Sequence, residues 1–370
     1  FFFCLPLGIK FHRQSVDIFT QRWYSPHRVV PATDWGLMMP NMESLPSVAG
    51  FLALSSEELD RVDPVVMNLV VAKGIPALAE LDVNRYVRLA DEWADDLRAR
   101  MPSLEAQFHG SPQCWKNDID FFRLGLICWY VDVVLGIAYR EDQRYVTSVV
   151  YTDPTDLFLN GVMDTRRGTC GSLATLHVVL GRRVGLPVSL ACAGSHYYCR
   201  FDDGAKTINI EATETGRGGF SSQTDEQLLE NHNLPAKAQQ CGSDLRAVTS
   251  REMLGLFLGL RARHLENTNR MSEAEPDYLL ARYLFPRNRK LYIAQNQTSV
   301  QCSMDLFEPD EKGHPVELAE WLRQVVHIAP WTRNIIPTPH APKEKINGNY
   351  ADAVFQQIVI GENFYGEDLF

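Results

Sequence analysis

A thiol, an imidazole and a carboxylate, Cys170, His196 and Glu211, carry the strongest chemical signal in this sequence. Cys170 stands in Arg166-Arg-Gly-Thr-Cys-Gly-Ser-Leu-Ala-Thr-Leu-His, where Gly168-Thr169 supplies a turn and an N-cap hydroxyl. Leu173, Leu176 and Leu180 recur at three- and four-residue steps until Gly185 and Pro187 stop the helix. The thiol therefore falls in the first helical turn. Unpaired backbone N–H groups and the positive end of the helix dipole favour a thiolate there, and Arg166 and Arg167 add positive charge. The same amides can form part of an oxyanion site beside the sulfur.

A cysteine nucleophile needs a base, and the base needs a group that orients it. Two alternating runs follow the helix, Val188 to Phe201 and Ala205 to Thr213, separated by Asp202-Asp-Gly. Asp-Gly between alternating runs is a strong hairpin signal. With Asp203-Gly204 as a two-residue loop, Asp202 pairs with Ala205, His196 faces Glu211, and Tyr198 faces Asn209. Opposed residues share a sheet face, so Glu211 can reach the His196 ring, while Ile208 and Ile210 turn toward a core and leave the polar side for a cleft. A one-residue slip or a longer loop breaks this register. Tyr198 and Asn209, on the cleft side, are candidates for positioning a substrate. Gly216-Arg-Gly-Gly lacks the spacing of a phosphate cradle and reads as a flexible lip, with Arg217 a possible substrate contact.

Each of these residues also has a plainer use: Cys170 as a buried thiol, His196 bonded to backbone, Glu211 as a solvated strand charge, Tyr198 and Asn209 as strand packing. Cys192, His196 and Cys199 invite a zinc reading, but strict alternation puts Cys192 and His196 on one face and Cys199 on the other. No metal and no cofactor is expected. His177 lies two turns beyond Cys170, too far to be its base, and reads as a packed histidine. Asn296-Gln-Thr matches a glycosylation sequon, as chance allows.

The elements that position this centre divide the chain into an irregular arm (1–50), a helical region (51–150), a core (151–230), a second helical region (231–330) and a proline-containing tail (331–370). Asp82 caps an amphipathic helix that buries Val83, Tyr86, Val87, Ala90, Trp93, Ala94 and Leu97. Phe121 to Leu135 is apolar nearly all round, as in a helix enclosed by others. Further helices are expected from Arg251 to Leu265, Pro276 to Leu284 and Pro315 to Ile328. The fold class is α+β, a small mixed centre cased in helices.

Composition limits the partners. With 36 Lys and Arg against 46 Asp and Glu, the chain carries a formal charge of −10, which disfavours nucleic acid and anionic lipid. The longest apolar stretch, from Phe121 to Ile137, contains Arg123 and Asp132 and reads as a buried helix. Eight cysteines without a C-x-x-C pair suit reduced thiols in a cytoplasm.

Gly-x-Cys at a helix start, then a strand with His, then a strand with an acid, resembles the transglutaminase-like superfamily of papain-related cysteine enzymes. Asp164-Thr-Arg-Arg-Gly through Leu176, Gly185-Leu-Pro-Val, Gly194-Ser-His and Ile208-Asn-Ile-Glu are similar to a bacterial branch in which the core precedes a tetratricopeptide-like helical region. The resemblance covers about residues 150 to 230. It implies a papain-like core in which Cys170 is the nucleophile, His196 general base and then acid, and Glu211 the orienting carboxylate, acting on a peptide or protein substrate. Two departures stand out: some members of that branch carry proline in place of the cysteine, and this chain has Glu211-Ala212 where relatives have Asp-Pro. Two functions follow from the resemblance: a cysteine-dependent hydrolase or acyl transferase, or a catalytically silent scaffold that binds a protein partner.

Overall fold

The computed structural model describes residues 47–288, apart from 144–150, 195, 215–219, 233, 235–238, 240–241, 243 and 286. Most of the expected N-terminal arm, the expected helix at 315–328, the tail, the sequon and Arg217 lie outside the described residues.

Short helices α1 (Val48–Ala53), α2 (Ser56–Asp60) and α3 (Pro64–Ala72) open the described chain. Pro64 stands at the first position of α3 and Asp63 caps it, accepting from the Val65 N–H at 2.8 Å. Helix α4 (Val83–Gly110) starts at the expected cap, Asp82, and buries the seven apolar positions read from its periodicity. It runs well past Leu97, through Pro102. The apolar segment that follows forms α5 (Ile119–Trp129) and a π-helical turn (Tyr130–Val134).

The core opens with strand β1 (Ala138–Tyr139), the Pro154–Asp156 turn and α6 (Leu159–Thr165). Strand β2 (Arg167–Gly168), parallel to β1, leads into α7 (Cys170–Arg183), the helix predicted from the leucine spacing. Its residues from Gly171 to Gly181 are buried, because helices α3 to α6 wrap one side and a sheet covers the other. That sheet contains β3 (Val188–Ala193), β4 (His196–Asp202) and β5 (Thr207–Ile210), all antiparallel in the order β3-β4-β5. After it come α8 (Asp225–Asn231) and a packed helix pair, α9 (Ser250–Asn267) and α10 (Met271–Leu284). Helix α10 starts five residues before Pro276, which lies inside it. The mixed architecture, with helical regions flanking the small sheet, is the α+β class expected.

The sheet corrects the expected register in two places. The run from Val188 to Phe201 is two strands, because Gly194 takes a left-handed φ of 62° and turns the chain so that Ala193 pairs with His196. The second hairpin has a four-residue loop, and Asp202 pairs with Thr207. Asp203 Oδ1 accepts from the Ala205 and Lys206 N–H groups at 2.9 and 2.8 Å, Asp202 Oδ1 accepts from Gly204, and Gly204 supplies a φ of 82°. These three side-chain bonds favour the wider turn. Because the register moves by two residues, every side chain keeps its predicted face on β5.

Cys192 is the exception on the sheet. It pairs with Tyr197 and faces the core together with Cys199, opposite to His196, since the Gly194 turn resets the alternation. No described helix is long and apolar enough to cross a membrane.

Candidate active site

Cys170 is the first residue of α7, with Thr169 as N-cap. The Thr169 N–H donates to Ser172 Oγ at 3.1 Å, and the Thr169 and Ser172 hydroxyls both donate to the Asp156 carbonyl, at 2.8 and 3.2 Å. Arg140 in turn donates to Asp156 Oδ1 at 2.6 Å. The helix start is thus bolted to the Pro154–Asp156 turn. Gly168 is required beside it, because a Cβ there would stand 2.6 Å from Ser172 Oγ and 3.0 Å from Val162.

His196 is the first residue of β4 and Glu211 follows the last residue of β5. In the observed register the two are diagonal on one face and not directly opposed, a separation the longer Glu side chain spans. His196 Nε2 lies 2.7 Å from Glu211 Oε2. The other carboxylate oxygen, Oε1, accepts from the Thr213 N–H and hydroxyl at 2.9 and 2.6 Å, so the carboxylate is fixed at both ends. With Nε2 engaged, Nδ1 is the ring nitrogen left to act on Cys170, and the His196 ring and the Tyr197 N–H both favour its thiolate form.

Electrostatics distinguish this thiol from its neighbours. Burial alone pushes a thiol up, as it does for Cys128 and Cys192, and Cys199 is driven to about 12. Cys170 goes the other way: burial raises its pKa, but the bond and charge of His196 outweigh that and hold it below the ordinary 9.0. For His196, burial disfavours the imidazolium, yet Cys170 and Glu211 together raise the ring to about 10. Glu211 sits below its ordinary value, because the His196 and Thr213 bonds outweigh its desolvation. All three shifts run in the direction that favours a thiolate–imidazolium pair backed by a carboxylate.

The other expected site residues take different places. Tyr198 is 1% exposed in a small apolar cluster with Ala191, Ala193, Leu228 and Leu245. Asn209 is 5% exposed; its side chain bonds to Arg200, Asp225 and the Gln223 carbonyl. The polar side of the sheet is therefore not an open cleft but is covered by α8, and the expectation that these two residues touch substrate is corrected to a structural role. His177 is fully buried, its Nδ1 2.8 Å from the Leu173 carbonyl.

Sequence reasoning missed Thr213 and His232. Thr213, two residues after a carboxylate, is a local side-chain-to-backbone motif that the sequence does display. His232 stacks on His196, with ring centroids 4.8 Å apart and planes at 14°. His196, Glu211 and His232 bring ligand atoms within 4.8 Å of one another, enough to ask whether they hold a metal. The stacked planes argue against it: lone pairs of imidazole lie in the ring plane, so two near-parallel rings do not aim at one ion.

Comparison with known proteins fits this geometry. A family model described as the transglutaminase-like superfamily matches residues 90–258, from within α4 to the first half of α9 and including Cys170, His196 and Glu211. Searches of curated proteins and of solved structures each found no match. Residues 90–258, which carry the buried thiol helix and its three-stranded sheet, form a transglutaminase-like superfamily domain.

Proposed function

We propose that the chain is a cysteine-dependent hydrolase or acyl transferase that acts on an amide carbonyl of a peptide or protein through a thioester. The observation that carries this reading is the arrangement at one point: a thiol of lowered pKa at a helix start, and an imidazole held 2.7 Å from a buried carboxylate. His196 Nδ1 takes the Cys170 proton, the sulfur attacks the carbonyl carbon, and first-turn amides of α7 receive the oxyanion. The imidazolium then gives that proton to the leaving amine as the C–N bond breaks. Water or an acceptor amine, deprotonated by the same ring, opens the thioester and returns the thiol. Glu211 keeps Nε2–H directed away from the sulfur throughout.

Selective alkylation tests the reading. Iodoacetamide should modify Cys170 well below pH 8.5, ahead of the buried Cys128, Cys192 and Cys199. His196→Ala should slow that low-pH reaction by about tenfold or more, because the thiolate loses its counterion. A Cys170 that labels only on unfolding would remove the enzyme and leave the silent scaffold.

A further inference from the structure

The mechanism above uses the two nitrogens at the edge of the His196 ring and leaves its faces unassigned. A ring that tilts or flips about χ2 breaks its bonds to Cys170 and Glu211 together, so any flat group against one face matters for both. His232 is such a group: its ring is stacked on that of His196 with the two planes nearly parallel. We propose that His232 is a positioning residue of the thiol site, its ring stacked on one face of His196 so that both edge nitrogens stay aligned with Cys170 and Glu211. The inference rests on the acyl-transfer reading.

The element that carries His232 is itself fixed. The His232 N–H donates to the Leu228 carbonyl at 3.1 Å, closing the last turn of α8, and Leu228 is buried against Tyr198. At the other end of the helix, Asp225 Oδ1 accepts from Arg200 Nη1 at 2.7 Å and from Asn209 Nδ2 at 2.8 Å. Arg200 is 6% exposed, and it also donates to Asn209 Oδ1 at 2.8 Å. Charge-assisted bonds of this kind, two of them converging on Asp225, favour one position for the helix on the sheet. The residues first read as substrate contacts, with Arg200, thus hold the helix whose end presses on the catalytic ring.

Charge agrees with this placement. His232 is held below its ordinary 6.5, first by burial and then by the neighbouring His196 charge, with Glu211 opposing. At neutral pH it presents an uncharged aromatic face to the imidazolium, an attractive pairing. Protonating His232 would set two cations face to face.

The test measures iodoacetamide alkylation of Cys170 in the full chain across pH 5–9, comparing wild type, His232→Ala and His232→Phe. His232→Ala should react about two- to tenfold more slowly at pH 6, whereas His232→Phe, which keeps the stack, should stay within about twofold of wild type. His232→Ala at the wild-type rate overturns the proposal. His232→Phe as slow as His232→Ala also overturns it, since the effect would then belong to the ring nitrogens. Failure of the thiol reading shows separately, as absent low-pH reactivity in the wild type. Should His232→Ala not fold, proton NMR of folded chains replaces it. The His232 ring resonance should be displaced by the His196 ring current, and its titration midpoint should rise in His196→Ala; no change in either overturns the stack.

Discussion

Glu211→Gln should return the His196 imidazole to the accessible titration range, lowering its midpoint by about two units. His196 stands near 10 because the Cys170 bond and the Glu211 bond and charge together overcome burial. Glutamine keeps an acceptor at nearly the same place and removes the charge, so only the Cys170 contribution and a neutral hydrogen bond remain. Proton NMR of the His196 ring should be flat from pH 5 to 9 in the wild type and should show a midpoint inside that range in the variant. A resonance that does not move would exclude Glu211 as the orienting group.

The same substitution has a signed effect on stability. Glu211, with its pKa below 4.5, contributes stability that is fully present above that value and lost as the pH falls through the folded value. His196, raised from 6.5 to about 10, contributes stability that is fully present below 6.5 and lost as the pH rises through 10. The pair therefore helps most between 4.5 and 6.5. Thermal unfolding should show Glu211→Gln less stable by roughly 1–3 kcal/mol in that window, with the gap closing toward either extreme.

The helix that presents Cys170 was legible because three signals agreed: the Gly168-Thr169 start, the leucine spacing and the Gly185-Pro187 stop. The His196–Glu211 pairing was legible for a subtler reason. The predicted hairpin loop was two residues too short, yet alternation has period two, so an even error leaves each side chain on its face. An odd error would have separated the pair. Alternation failed at Cys192, because the left-handed turn at Gly194 lies inside what reads as one continuous run. It also failed to show that the polar face is covered. Tyr198, Arg200 and Asn209 look like cleft residues on a strand diagram, and only the arrival of α8, with Leu228 and Asp225, converts them to packing. His232 lies 36 positions beyond His196 on that same helix end, with no pattern linking the two. Contacts made by docking one element on another are long-range, and local periodicity carries no record of them.

Gly161→Ala should be the most damaging single-methyl change near the site. A Cβ at Gly161 would stand 1.8 Å from the Thr155 carbonyl oxygen and 2.5 Å from both its carbonyl carbon and Cα. These are backbone atoms, so no rotamer change relieves the overlap; the turn or the start of α6 must move. Thr155 precedes Asp156, whose carbonyl accepts from Thr169 and Ser172 and whose carboxylate is held by Arg140. Displacing the turn therefore pulls on the mount of the Cys170 helix. The expected cost is about 3 kcal/mol, a fall in melting temperature of about 6–12 °C. Gly110→Ala is the control, since a Cβ there meets nothing within 4 Å, and it should be neutral or slightly stabilising. Among Gly161→Ala molecules that still fold at low temperature, the Cys170 alkylation midpoint should move back toward 9.0, because the thiol is no longer held against His196. An unchanged melting temperature would mean that the turn gives way freely, and the site could not then depend on it for position.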